Sequence, residues 1–104
     1  MRGTEHGELW EARLDKPRPV VIVCRDDVQG RRAKTTVAAI TTTLRDVPTH
    51  VPVDHRDGLP HLSAIDCDEL HTIPKSSLTR RIGRLSETKI EALDSALRFA
   101  LKLS

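Results

Sequence analysis

The sequence predicts a small α+β domain that is mainly β, with several short strands forming a sheet or barrel and one C-terminal helix packed on it. Three observations carry that prediction. Between residues 7 and 85, strand-length segments alternate apolar and polar residues or run apolar throughout, with Pro- and Gly-containing turns between them. Helical periodicity of any length occurs only in the last stretch. The chain has 104 residues, 38% hydrophobic and 31% charged, which suits one folded domain with a thin core rather than a disordered segment.

Gly7 to Leu14 (GELWEARL) alternates, with Leu9 and Glu11 on one side and Trp10, Ala12 and Leu14 on the other, as in a half-buried strand. Asp15-Lys16-Pro17 turns the chain, and Pro17 and Pro19 hold the backbone around Arg18 extended. Arg18 to Arg25 is apolar on both faces, as a central strand is, and a polar loop with Gly30 follows from Asp26 to Arg32. Lys34 to Thr42 is a third strand, rich in β-branched residues. Thr49 to Asp54 alternates again, but Pro52 assigns it to an edge. Asp57-Gly58 signals a turn. His61 to Cys67 and Glu69 to Ile73 read as two short extended segments, Pro74 to Leu78 as one helical turn, and Arg80 to Leu85 as a last strand. From Glu87 to Leu103, Ile90, Leu93, Leu97 and Leu101 recur at helical spacing, Ser86 offers an N-cap, and Lys102 places a cation at the negative end of the dipole.

Several function classes are excluded or disfavoured. No apolar run approaches the roughly 18 residues of a membrane span, and the N-terminus lacks an apolar signal region, so a cytoplasmic protein is expected. Cys24 and Cys67 show neither CxxC spacing nor a disulfide framework and sit among apolar residues, which predicts two buried structural thiols. Five histidines match no zinc signature, and neither a metal nor another cofactor is expected. Trp10 and Phe99 are the only aromatic residues, so a base-stacking platform is out of reach; Trp10 is expected in a core or dimer interface.

What the sequence offers instead is cationic. Net charge is +2, but Arg25, Arg31, Arg32 and Lys34 crowd one segment and Lys75, Arg80, Arg81 and Arg84 another, a distribution compatible with a polyanion partner. The apolar runs Arg18-Pro19-Val20-Val21-Ile22-Val23 and Val37-Ala38-Ala39-Ile40-Thr41 are strand partners by length and composition. Laid antiparallel, they bring Arg18 and the hydroxyl cluster Thr41-Thr42-Thr43 to one rim, a place to hold a phosphate. A guanidinium offers phosphate a rigid fork of donors, and a threonine hydroxyl adds one more.

The ordered set GELW, RPVVIV, VAAITT, PTHV, a serine-containing strand, ELHTI, KSSL, RRIGRLS and a terminal amphipathic helix resembles the MazF/PemK toxins from about Gly7 to Leu103. That resemblance implies an SH3-like β-barrel with a C-terminal helix. It also implies metal-independent, sequence-specific cleavage of single-stranded RNA or mRNA, neutralisation by a cognate MazE-like antitoxin, and a homodimer. By position, the arginine of the family's RPV strand corresponds to Arg18 and the residue closing its third strand to Thr41, the expected catalytic pair. Gln29, Arg31 and Arg32 in the loop after the second strand, with Thr42, Asp68 and Glu69, are the expected RNA contacts. CcdB-type toxins share the barrel but poison DNA gyrase, and a catalytically weak RNA-binding relative is a further alternative.

The chain departs from the family pattern beside Arg18. Many relatives carry a long first loop whose glutamate activates the 2′-OH, whereas here only Asp15-Lys16-Pro17 is present. Asp15, Glu69 and His71 are therefore the alternatives for the general base. Leu62 stands where an acidic residue often precedes the strand serine, here Ser63, and Asp68-Glu69 where relatives often show an acid followed by Gln. The RNA sequence cut does not transfer across such changes.

Overall fold

The computed structural model describes residues 3–103. Its strands are β1 (Glu8–Arg13), β2 (Pro17–Ile22), β3 (Lys34–Thr41), β4 (His50–Val53), β5 (Ser63–Pro74) and β6 (Leu78–Arg84), followed by the helix α1 (Glu87–Leu101). Short 3₁₀ turns occupy His55–Asp57 and Lys75–Ser77. All strand pairs are antiparallel, in the order β4-β5-β3-β2-β1-β6, and the sheet curls into a half-barrel. β2 is central, as its two apolar faces demand, and β4, with Pro52, lies at an edge.

Side-chain alternation divides the core between the two faces of the sheet. On one face Leu9, Val21, Ala38, Ile40, Val51, Val53 and Ile65 pack with Leu93 and Ala96 of α1. On the other, Trp10, Ala12, Val20, Ile22, Val37, Ile73 and Leu78 form a second cluster without any helix residue. Trp10 is a core residue of this second cluster, and its Nε1 donates to the buried Glu8 Oε1 at 3.3 Å. Glu8 also accepts from Arg81 Nε at 3.0 Å, tying β1 to β6 across the sheet.

The helix is fixed at both ends. The Ser86 hydroxyl accepts from the Lys89 amide, and Lys102 adopts the left-handed conformation that ends the helix at Leu101, two residues before the predicted boundary. Lys89 Nζ donates to Pro52 O at 2.7 Å and to Asp57 Oδ2 at 3.0 Å, while His6 Nε2 meets Asp94 Oδ1 at 2.6 Å. Gly7 enters β1 at φ 90°, and a Cβ there would lie 2.9 Å from Ile90 of α1, so the chain passes under the helix only as glycine.

Two predicted segments turn out to be one. His61 to Cys67 and Glu69 to Ile73 were expected as separate pieces, but Ser63–Pro74 is a single strand carrying an irregularity. Ala38 pairs with Leu70 and the next β3 residue, Ala39, pairs with Asp66, so Cys67, Asp68 and Glu69 have no partner on β3. Cys67 turns its amide to Thr49 O at 2.9 Å instead, and the carboxylates on either side of it are thrown outward.

Candidate functional site

The register of β2 and β3 bears on the proposed rim directly. Val20 pairs with Ala39, Val21 with Ala38 and Ile22 with Val37. Carried on two residues, the same register sets Arg18 across from Thr41. The ladder stops at Val20 because Pro19 has no amide hydrogen to donate. Arg18 shares the side-chain parity of Val20 and Ile22, and Thr41 that of Val37, so both belong to the sheet face that α1 does not cover.

On that face a cavity of about 330 Å³ is lined by Leu14, Asp15, Arg18, Ala39, Glu69 and His71. The three groups that sequence reasoning left open as the base therefore surround the one arginine. Arg18 donates from Nε to Asp15 Oδ1 at 3.1 Å and from Nη2 to Asp15 Oδ2 at 3.4 Å. That hydrogen bond holds the Asp15 carboxyl below its ordinary value of 3.8, so it is ionised throughout the neutral range. Across the cavity His71 Nε2 lies 3.8 Å from Glu69 Oε1. Glu69 and His71 lie two apart on β5 and so share a face, next to the point where the β3 ladder skips residues.

Thr41 faces the next hollow along β3, beside Thr43, Arg45, His50 and Asp66. Its Oγ1 accepts from the Thr43 amide at 3.0 Å, which occupies one lone pair and leaves the hydroxyl proton free to donate. Thr42 is exposed beside it. Asp68 is exposed too, with Oδ2 accepting from the Thr49 hydroxyl at 2.7 Å.

The other predicted contacts lie elsewhere. Gln29, Arg31 and Arg32 belong to the loop joining β2 to β3, at the end of that strand pair opposite Arg18 and Thr41. Asp27 organises this loop by accepting from the amides of Arg31 and Arg32, each at 3.0 Å, and from the buried Lys75 ammonium. These partners, Lys75 first, hold Asp27 far below the usual carboxylate range. Arg32 is used internally, its Nη2 donating to Arg25 O at 2.8 Å, while Gln29 and Arg31 are exposed.

One cysteine differs from expectation. Cys67 is a buried structural thiol, pushed up to about 12 by burial and by the flanking Asp66 and Asp68. Cys24 is only half-buried and meets the Thr35 hydroxyl at 3.0 Å, the Thr36 amide at 3.5 Å and Arg32 Nη2 at 3.9 Å. Burial raises its pKa, but these donors together bring it below the ordinary value. The apolar strand around Cys24 suggests an inert thiol because nothing local in the sequence signals that a loop arginine folds back over it.

Comparison with known proteins agrees with this architecture. Residues 5–101 match the family described as PemK-like, MazF-like toxin of type II toxin-antitoxin system. Endoribonuclease MazF3 of Mycobacterium tuberculosis is 45% identical over 92 residues, covering 88% of this chain and 89% of the relative. Endoribonuclease EndoA of Bacillus subtilis is 36% identical over 90 residues, covering 83% and 77%. Among solved structures, the Mycobacterium tuberculosis toxin MazF-mt6 superposes with a TM-score of 0.88 at 42% identity, covering 93% of this chain and 98% of that one.

Proposed function

The chain belongs to the PemK-like, MazF-like toxin family of type II toxin–antitoxin systems, and on that premise we propose that it is an endoribonuclease cutting single-stranded RNA at short sequences. The observation that carries this reading is the Arg18 cavity, where a phosphate-binding guanidinium, an ionised carboxylate and an imidazole–carboxylate pair converge.

RNA can be cut by driving a ribose 2′-OH onto the adjacent phosphorus, which closes a 2′,3′-cyclic phosphate as the bond from phosphorus to the 5′ oxygen breaks and that oxygen leaves with a proton. The step needs an acceptor for the hydroxyl proton and donors for the charge that builds on the phosphorane oxygens. Arg18 spends Nε and one Nη2 hydrogen on Asp15, leaving the rest of its fork for the phosphate. Guanidinium is never deprotonated at neutral pH, so Arg18 stabilises charge and does not act as base. Thr41 supplies a further donor from the adjacent strand. Asp15 is the acceptor best placed for the 2′-OH, because it alone among the three touches the guanidinium that holds the phosphate. Glu69 and His71 close the far wall and contact the substrate. Gln29, Arg31, Thr42 and Asp68 extend the RNA path beyond the cavity. Nothing in this sequence of steps calls for a metal or another cofactor.

Two partners accompany this function: a cognate antitoxin that neutralises the enzyme, as the family description implies, and a second copy of the chain. Phe99, Leu101 and Leu103 are exposed at the end of α1 and supply apolar surface for association. No helix among the described residues is long and apolar enough to cross a membrane, and the site of action is the cytoplasm, where mRNA is available.

Purified protein incubated with a long single-stranded RNA in EDTA tests the reading. Discrete fragments that vanish with Arg18→Ala and weaken with Thr41→Ala, both variants remaining folded, are expected. Intact RNA under all conditions overturns the enzyme, and unimpaired cleavage by Thr41→Ala overturns the placement of the site.

A further inference from the structure

Beside the Arg18 cavity, on the other side of Thr41, lies a polar hollow of about 220 Å³ lined by Thr41, Thr43, Arg45, His50 and Asp66. Its walls are unlike those of a phosphate site. Asp66 Oδ1 accepts from the Asp68 amide at 3.0 Å, and the other carboxylate oxygen makes no hydrogen bond among the described residues. With the backbone phosphate assigned to the remaining donors of Arg18, this neighbouring hollow is left for another part of the nucleotide. The hollow instead combines an acceptor-only carboxylate, the donor-only guanidinium of Arg45 and two hydroxyls that do both. Such a set suits a neutral group whose edge alternates donors and acceptors, and a nucleobase is that group. Behind it His50 is 7% exposed at its side chain, with Nε2 3.6 Å from Asp66 Oδ1 and a buried Nδ1 that has no partner among the described residues. That imidazole backs the Asp66 carboxylate from within the fold. No Phe, Tyr or Trp lines the hollow, and the one ring there, His50, is buried with Nε2 toward Asp66, so a base entering it is read by its edge rather than by stacking.

We propose that this hollow is a base-reading subsite for the nucleotide next to the phosphate held at Arg18, and that Asp66 selects there for a base bearing an exocyclic amino group. Cytosine, adenine and guanine each turn such a donor toward the carboxylate, whereas uracil flanks its single N–H with two carbonyls. The inference rests on the ribonuclease reading and deepens it, because it names which residue sets sequence preference and in which direction.

The experiment uses single-stranded RNAs that differ only at the positions flanking a cut, digested by wild type, Asp66→Asn and Arg45→Ala, with fragment ends sequenced. Asparagine is the same size but offers uracil an N–H, so preference for amino-bearing bases over uracil at one flanking position is expected to fall about tenfold or more, the scale of one well-made base contact. Arg45 is exposed and makes no hydrogen bond or ion pair among the described residues, so Arg45→Ala folds normally and reduces selectivity at that same position. Cleavage by wild type with unchanged preferences in both variants overturns the subsite and leaves the ribonuclease standing. Should wild type cut nothing, the enzymatic reading fails, and fluorescence anisotropy with 2′-deoxy oligonucleotides then reads the hollow alone. A uracil-containing and a cytosine-containing oligonucleotide binding equally, or neither binding, overturns it; cytosine preference lost in Asp66→Asn supports it.

Discussion

Asp15→Asn separates the two halves of the proposed catalyst. The substitution keeps size, removes the charge, and turns at best one carbonyl toward Arg18 in place of two oxygens at 3.1 and 3.4 Å. A positioned general base contributes about 10²- to 10⁴-fold, so kcat is expected to fall within that range. KM changes little, since the remaining donors of Arg18 still hold the phosphate. The fold is not at stake, because the Asp15 and Arg18 side chains are 71% and 41% exposed and exposed ion pairs contribute little to stability. The pH profile gives an independent check. Arg18 depresses the Asp15 carboxyl below 3.8, so the wild-type rate should show no inflection from this group across pH 5 to 8. An imidazole base would instead make the rate climb through that interval. Single-turnover cleavage of a short RNA measures both quantities. A variant within about threefold of wild type, well below the range for a base, refutes the assignment. So does an inflection in the neutral range that disappears in His71→Gln, which would transfer the role to His71.

Three further outcomes follow from the packing and titration of the fold. Leu93, fully buried where α1 meets the sheet, should cost about 2–5 kcal/mol as Leu93→Ala in urea unfolding, and a loss near zero would mean that the helix is not docked there. Asp27 is held low by Lys75 and the loop amides, so the folded state binds fewer protons than the unfolded one; its stabilisation is present above the ordinary carboxylate value of 3.8 and is lost as pH falls below it. Asp27→Asn should therefore flatten the acid side of the stability curve, and an unchanged acid midpoint would contradict the role of Asp27 in organising the β2–β3 loop. Finally, a maleimide at neutral pH should label Cys24 in the native protein and reach Cys67 only on unfolding; equal rates would contradict the environments described.

How much of this was legible in the sequence depended on whether the signal was local. The extended character of Arg18 came from its flanking prolines, the edge position of β4 from Pro52, and the helix from its apolar stripe and Ser86; each of these is written within a few residues. Alternation told which residues share a face, and so placed Trp10, Ala12 and Leu14 together correctly. It could not tell which strands pair, because period two is the same for every partner, and β1 finds β6 across most of the chain. Nor could it show that Arg32 turns back onto Cys24, since a long side chain in a loop has no periodicity to read.

The site depends most on what was least legible. β5 read as two segments because Cys67, Asp68 and Glu69 break the alternation, and that break is where the β3 ladder skips residues. Had the ladder run on unbroken from Ala38 and Leu70, Ala39 would face Glu69 and Thr41 would face Cys67, and Asp66 would lie beyond the end of β3. The skip instead sets Asp66 across from Ala39, while Glu69, without a β3 partner, lines the Arg18 cavity beside His71. The irregularity thus lies between the acids of the two hollows, Glu69 of the first and Asp66 of the second. Deleting a residue from the run Cys67–Glu69 should disturb the wall of the Arg18 cavity and the neighbouring hollow together, whereas Asp66→Asn touches only the second.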